Sequence, residues 1–294
     1  MALRSSHEKA TIIMVYITAD IGINHNGSLG TAMKLISAAK GAGCNAVKFQ
    51  KRDPDISVPL AQRTKIRETP WGQLTYIEYK RRMEFGQSEY DAIARECSDL
   101  KIDFFASAWD IPSAKFLEQY NMPYLKIPSA VATDEPFLHW VAKSQAFDKV
   151  MLSTGMCTQD DVDSAIKILG KPIVMHCTST YPCPHDEINL RYMLELRRLY
   201  PDLQIGYSGH ETGLATTVAA VALGAQYIER HITLNRASWG SDHAASIEPS
   251  GFVRLVKDAR AVEASLGDGF KKVEPGEYQK IQSLKGSDYA RKIV

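Results

Sequence analysis

No stretch of this sequence stays apolar long enough to cross a bilayer, and its first residues lack the apolar core of a signal peptide. Neither sign of charge dominates: 35 Lys and Arg stand against 34 Asp and Glu, a formal net charge of +1. That balance gives no electrostatic reason to expect nucleic acid or an anionic membrane as partner. The one basic cluster, Lys80-Arg81-Arg82, reads as a solvated helix face. Cysteine is sparse. Cys44, Cys97, Cys157, Cys177 and Cys183 form no CxxC pair and no regular framework, so reduced thiols in a cytoplasmic protein are expected. His176 precedes Cys177, but adjacent strand residues point to opposite faces, which argues against a catalytic pair. The glycine-rich dinucleotide turn is missing too, because Ile21-Gly22-Ile23-Asn24-His25-Asn26-Gly27 does not supply GxGxxG.

What is present is a repeated alternation. Short β-rich runs fall at 14–19, 46–50, 103–107, 124–127, 150–153, 173–177, 204–207 and 226–229. Amphipathic stretches such as 29–41, 88–100, 113–120, 159–169 and 212–223 lie between them, and a last helix is expected over 249–266. Strand then helix, eight times over, with strands apolar on both faces, predicts an α/β fold of the closed (β/α)8 barrel type, a single domain over residues 14–266. Ser28 and Thr158 suit N-caps; Gly41 and Gly170 suit the positions after helix ends. Residues 1–13 are expected to be disordered and 267–294 to be a tail or linker remnant. Residues 51–86 form a long polar and aromatic connection of the kind that contacts substrate or caps a site.

The C-terminal strand ends collect the chemistry. Asp20 and Asn24 come from the first; Lys48 and Gln50 from the second; Ser107 from the third; Lys126 and Ser129 from the fourth. Ser153-Thr154-Gly155, Ser179 with Tyr181, Ser208 with His210, and Glu229 with His231 complete the ring. His210 and His231, with Asp242 close behind, can hold one divalent metal in an open site. Two lysines with several hydroxyls and a glycine amide suit a phosphate. Together they point to a phosphorylated substrate beside a metal. His25 is expected to shape its loop. Trp71, Trp109 and Trp239 fall in loops near the mouth, where they could stack on a sugar or pack beneath loops. His139 and Trp140 read as structural.

Several motifs carry a resemblance. Ala19-Asp20-Ile21-Gly22-Ile23-Asn24-His25-Asn26-Gly27, Val47-Lys48-Phe49-Gln50, Leu152-Ser153-Thr154-Gly155-Met156, Gly206-Tyr207-Ser208-Gly209-His210 and Arg230-His231 leading to Gly240-Ser241-Asp242-His243 resemble the sialic acid (N-acetylneuraminate) synthase family. The resemblance covers roughly residues 14 to 275. It implies a barrel enzyme that condenses phosphoenolpyruvate with an open-chain amino sugar, typically N-acetylmannosamine. The products are a nine-carbon 2-keto-3-deoxy acid and phosphate, and the metal is Mn2+ or Mg2+. Carried over by motif, His210 and His231 would bind the metal. Lys48, Gln50, Lys126, Ser129, Ser153 and Ser208 would hold phosphoenolpyruvate, while Asp20, Tyr181 and Asp242 would be catalytic. Gln50 would also line the sugar side, and a homodimer is implied as the assembly.

Three departures stand out. The family usually has glutamate at the position of Asp20, so this carboxylate is retracted by about 1.5 Å, one C–C bond. Pro128-Ser129-Ala130-Val131 lacks the acid that normally follows Gly-Ser-Gly, which is expected to shift sugar specificity. The family's C-terminal antifreeze-like domain, which lends an arginine to a partner's site, is not among these 294 residues. The barrel is expected to do without that contact or to obtain it from Arg52, Arg63 or Arg67 in the long loop. A related synthase acting on a different sugar and a catalytically silent sugar-binding barrel are the alternatives.

Overall fold

The computed structural model describes residues 14–285, so the segment 1–13 and the end of the 267–294 tail lie outside the described residues. β1 (Tyr16–Gly22) and β2 (Ala46–Lys51) are followed by a short hairpin, β3 (Ile66–Thr69) and β4 (Gly72–Thr75). Then come β5 (Asp103–Ala108), β6 (Leu125–Ile127), β7 (Val150–Ser153), β8 (Ile173–His176), β9 (Ile205–Gly209) and β10 (Tyr227–His231). All except the hairpin close into a barrel of order β1-β10-β9-β8-β7-β6-β5-β2. Every strand pairing around it is parallel, from Tyr16↔Tyr227 through Lys48↔Phe105 to His176↔Tyr207. The chain is therefore the (β/α)8 barrel that its alternation predicts.

The two-residue period of a strand sorts the side chains. On β10, Tyr227, Glu229 and His231 face inward, while Ile228 and Arg230 face the helices. On β2, Lys48 and Gln50 face inward, while Val47 and Phe49 pack outward. The inward polar residues lie toward the C-terminal strand ends. Toward the other end the barrel is plugged by rings: Tyr16 and Tyr124 stand 5.3 Å apart, Tyr124 and Tyr227 5.9 Å, and Phe105 and Tyr124 5.5 Å. Edge-to-face contacts of this kind add about 0.5–1.5 kcal/mol each beyond the area they bury. The plug closes the barrel beneath the polar end.

Helix punctuation departs from expectation at one point. Ser28 accepts from the Thr31 N–H, and Thr158 forms a capping box with Asp161. The first helix, however, runs Leu29–Ala42 and ends at Gly43, not Gly41. Gly43 adopts φ +86° and returns its N–H to Ala39 and Lys40, a left-handed terminus that glycine accommodates at low cost. Residues 51–86 are also more structured than their polarity suggests. They hold one-turn helices at Pro54–Ser57 and Leu60–Arg63, the hairpin, and a helix at Tyr76–Met83 started by a Thr75–Glu78 capping box. The hairpin strands are four residues each and mostly exposed, too short to leave a periodic signature.

Residues 14–263 form one compact unit. Residues 264–285 group separately and hold the end of the helix Pro249–Leu266, a turn at Pro275–Glu277 and a helix at Tyr278–Lys285. No helix among the described residues is long and apolar enough to cross a membrane.

Candidate active site

The inward residues of the strand ends line a cavity of about 250 Å³ at the C-terminal mouth of the barrel. Its floor is a chain of buried charges. Lys48 Nζ lies 2.8 Å from Asp20 Oδ2 and 3.7 Å from Glu229 Oε1, and donates to Ser107 Oγ at 3.0 Å. Lys126 Nζ reaches across the barrel to Glu229 Oε2 at 2.9 Å, and the Ser208 hydroxyl donates to Glu229 Oε1 at 3.1 Å. Two ammoniums and two carboxylates thus make a locally neutral set. Burial pushes the Lys48 ammonium down, but Asp20 and then Glu229 outweigh it and hold its pKa above the ordinary lysine value. Burial likewise pushes Glu229 up, yet Lys126 and Lys48 hold it well below the ordinary carboxylate range. In this arrangement each ammonium retains a donor for the cavity.

His210 and His231 stand above this floor with ring centroids 5.6 Å apart, and Tyr181 lies 4.1 Å from His210. His210 Nδ1 is 2.7 Å from the Thr178 carbonyl, which makes Nδ1 the donor and leaves Nε2 as a free acceptor. Burial, then His231, lowers the His210 pKa to about 3, so its ring is neutral. His231 Nε2 lies 3.5 Å from Asp20 Oδ2, while His231 Nδ1 and Asp20 Oδ1 are buried without partners. The free Nε2 of His210 and the unpartnered Nδ1 of His231 suit a divalent ion that keeps positions for substrate. Among the described residues no cluster of three or more such donors is already drawn together.

Beside the lysines, Ser129 Oγ accepts the Gly155 N–H at 3.0 Å, and Cys177 Sγ lies 3.2 Å from the same nitrogen. A Cβ on residue 155 would stand 2.3 Å from Ser179 Oγ and 2.9 Å from Ser129 Oγ, so this close approach requires glycine. Ser153 and Ser208 line the same cavity. Cys177 faces inward, whereas His176 turns outward and bonds to the Ile188 carbonyl at 2.7 Å.

Asp242 occupies a different level. It lines an upper chamber of about 540 Å³ with Gln50, Arg52, Lys80, Val131 and Tyr181. Gln50, Trp109, Ala130 and Tyr181 line both spaces, so the chamber continues the lower cavity. Burial raises the Asp242 pKa, but His231, the Ser241 hydroxyl, Lys80 and Arg52 together bring it below the ordinary value. Arg52 pairs with Glu84 at 2.9 Å and lies 4.3 Å over Trp109. Arg63 is committed to the carbonyls of Val58 and Asp55 in its own loop, and Arg67 lies 4.5 Å over the Tyr76 ring. Trp71 and Trp239 pack edge to face at 6.1 Å in a small apolar cluster with Tyr79 and Met83.

Two residues have roles that sequence alone understated. Glu229 is the hub of both lysines, although its strand-end position was its only signal. Lys80 is buried, not part of a solvated face, because the helix Tyr76–Met83 lays Tyr79, Lys80 and Met83 against the barrel mouth. Apolar residues at positions 79 and 83, one helical turn apart, were the available sign.

His25 stacks on Phe85 at 4.0 Å and accepts the Gly27 N–H at 3.0 Å. Burial, then Arg52, lowers its pKa to about 3, below the ordinary unfolded value of roughly 6.5. The unfolded chain therefore binds the extra proton first. The associated stability is present above pH ~6.5 and is lost as pH falls toward 3, by about 1.4 kcal/mol per pH unit for this one group. Urea unfolding at pH 7 and pH 5 is expected to show a shallower loss in His25→Asn than in the parent protein. An unchanged slope would mean that His25 is not the proton acceptor.

Comparison with known proteins places this geometry in context. The model of the NeuB family matches residues 35–271. The N-acetylneuraminate-9-phosphate synthase of Homo sapiens is 39% identical over 269 residues, 89% of this chain and 74% of that protein. The N,N'-diacetyllegionaminic acid synthase of Campylobacter jejuni is 33% identical over 287 residues, 95% of this chain and 85% of that protein. Among solved structures, the N-acetylneuraminic acid synthetase of Leptospira borgpetersenii superposes with a TM-score of 0.82 at 29% identity, covering 93% of this chain and 92% of that one.

Proposed function

Since this chain belongs to the NeuB family, we propose that it condenses phosphoenolpyruvate with an open-chain N-acetylated amino sugar, N-acetylmannosamine being the reference acceptor. The products are a nine-carbon 2-keto-3-deoxy acid and inorganic phosphate. The observation that carries this reading is the pair of buried lysines, Lys48 and Lys126, each ion-paired with a carboxylate beneath two imidazoles.

Lys48 and Lys126, with the hydroxyls of Ser129, Ser153 and Ser208, would bind the phosphate and carboxylate of phosphoenolpyruvate through their remaining donors. Gln50 would stand between the two substrates, because it lines both the cavity and the chamber. A divalent ion, Mn2+ or Mg2+, held by His210 and His231 would supply Lewis-acid polarisation of the sugar aldehyde. C3 of phosphoenolpyruvate then attacks C1 of the sugar, forming the new C–C bond as the aldehyde π pair moves onto its oxygen, which takes up a proton to become the C4 hydroxyl of the product, and leaving positive charge at C2. Asp20 and Glu229 supply the negative field that favours this charge. Water adds at C2, its proton passing to a carboxylate. Asp20 Oδ1 is suited to that proton because it is buried and has no partner. The C2–O bond to phosphate breaks, the keto group forms and phosphate leaves. Tyr181, against His210, and Asp242, in the chamber above, would orient the sugar hydroxyls.

The acceptor class follows the chamber. Val131 presents an apolar side chain where an acid would bind a hydroxyl, which supports an acceptor different in detail from free N-acetylmannosamine. The product in the name of the human relative carries phosphate on C9, which is C6 of the acceptor once three carbons have been added. Free and 6-phosphorylated sugars therefore both fall within the proposed class.

The test is to supply purified protein with phosphoenolpyruvate, Mn2+ and a panel of amino sugars, following phosphate release and product mass together. Phosphate release matched mole for mole by a nine-carbon acid is expected. Mn2+ binding with no turnover of any sugar would instead indicate a binding barrel.

A further inference from the structure

The upper chamber holds a cation that the reaction above does not employ. Lys80 is only 8% exposed, and among the described residues its ammonium makes no hydrogen bond and no ion pair. Its neighbours are ring faces, Tyr79 at 5.0 Å and Tyr76 at 5.2 Å. The nearby carboxylates have other hydrogen-bond partners: Glu84 holds Arg52 at 2.9 Å, Asp242 accepts from Ser241 at 2.6 Å, and Glu68, which lines the adjoining groove, accepts from Gln73 at 2.6 Å. Arg67 also lies 4.5 Å over the Tyr76 ring. A buried ammonium with no direct ion pair is unfavourable, and the charges of Asp242 and Glu84 together with the cation–π contacts offset only part of that penalty. Burial, then Arg52, pushes the Lys80 pKa down to about 8, which leaves it largely charged at neutral pH. The arrangement suits an anion that is present only when ligand is bound.

Its place in the channel indicates which anion. Lys80, Tyr76 and Ser241 line both the upper chamber and an outer groove of about 500 Å³ that also reaches Arg67. Lys80 thus stands at the outward end of a continuous path whose inner end is the imidazole and lysine cavity. An open-chain hexose with its C1 aldehyde at the imidazoles directs C6 outward along that path. We propose that Lys80, assisted by Arg67, forms a subsite for a phosphate monoester on C6 of the acceptor sugar. This rests on the condensation proposed above and specifies its substrate as a sugar phosphate. Phosphoenolpyruvate keeps the separate lysine pair at the floor, so the two phosphates are read by different cations.

The experiment compares kcat/KM for N-acetylmannosamine 6-phosphate and for N-acetylmannosamine in the parent protein, Lys80→Met and Lys80→Arg. A charge-assisted contact of ordinary strength corresponds to roughly ten- to a hundredfold. The parent is expected to prefer the phosphorylated sugar. In Lys80→Met that preference should fall by about this factor, mainly through KM, and Lys80→Arg should retain most of it. A general folding defect would lower both sugars together and leave the ratio intact. A ratio unmoved by Lys80→Met overturns the subsite. Should Lys80→Met not fold, Arg67→Ala replaces it, with a several-fold fall in the same ratio expected and an unchanged ratio overturning the proposal. If neither sugar is turned over, the condensation itself fails, and calorimetry decides the subsite alone. Tighter binding of the 6-phosphate than of the free sugar, lost in Lys80→Met, supports it; equal affinities overturn it.

Discussion

Lys48→Met is expected to lower kcat/KM for phosphoenolpyruvate by on the order of a thousandfold or more and to weaken the fold by about 3–5 kcal/mol. The two effects have different origins. The stability loss comes from stranding Asp20, which Lys48 holds at 2.8 Å in a fully buried setting, and from removing one of two cations on Glu229. The activity loss comes from removing a fixed positive charge where the substrate's anionic groups are to sit. A double variant, Lys48→Met with Asp20→Asn, separates them. Neutralising the stranded carboxylate is expected to recover most of the stability and none of the phosphoenolpyruvate binding, a readout that does not depend on Asp20 as proton acceptor. Denaturant unfolding and calorimetric titration with phosphoenolpyruvate on the parent, Lys48→Met, Asp20→Asn and the double variant check this. Recovery of binding along with stability would mean that Lys48 acts only as a structural counterion.

Chelation of divalent ions is expected to stop turnover, and His210→Ala or His231→Ala to reduce it by about a thousandfold, several kcal/mol of lost polarisation at the aldehyde. The two imidazoles are the nitrogen donors facing this cavity, and His210 is fixed by its bond to the Thr178 carbonyl. Calorimetric titration with Mn2+ gives a readout independent of turnover. Each alanine variant should bind Mn2+ at least tenfold more weakly than the parent. Full activity in excess chelator, or unaltered Mn2+ binding in both variants, would remove the metal from the mechanism.

Much of this site was legible in the sequence because a parallel barrel converts one-dimensional order into position. Once eight strand ends are located, a period of two decides what faces inward, and Asp20, Lys48, Lys126, Ser153, Ser208, His210 and His231 all line one cavity. Pairings across the barrel were not legible. Lys126 and Glu229 are 103 residues apart and meet only because β6 and β10 face each other through the interior. The lysines therefore read as free phosphate ligands, whereas the fold has already given each a carboxylate. Asp242 shows a similar limit: its motif was visible, but the level at which its loop enters the mouth was not. Lys80 was misread for a local reason. Three consecutive cations resemble a solvated face, yet Arg81 pairs with Asp55 at 2.6 Å and Arg82 lies 4.6 Å over Trp71 while Lys80 turns inward. Gly41 was the expected helix end, but the backbone geometry of the last turn places it at Gly43.

The most direct test of the proposed reaction uses phosphoenolpyruvate carrying heavy oxygen in its C–O–P bridge, with Mn2+ and N-acetylmannosamine or its 6-phosphate. Mass spectrometry of both products locates the label. Attack through C3 with cleavage of the C–O bond requires a nine-carbon keto acid with an unlabelled keto oxygen and the heavy oxygen in the released phosphate. Heavy oxygen retained in the keto acid, or phosphate released with no C–C bond formed, would contradict the reaction.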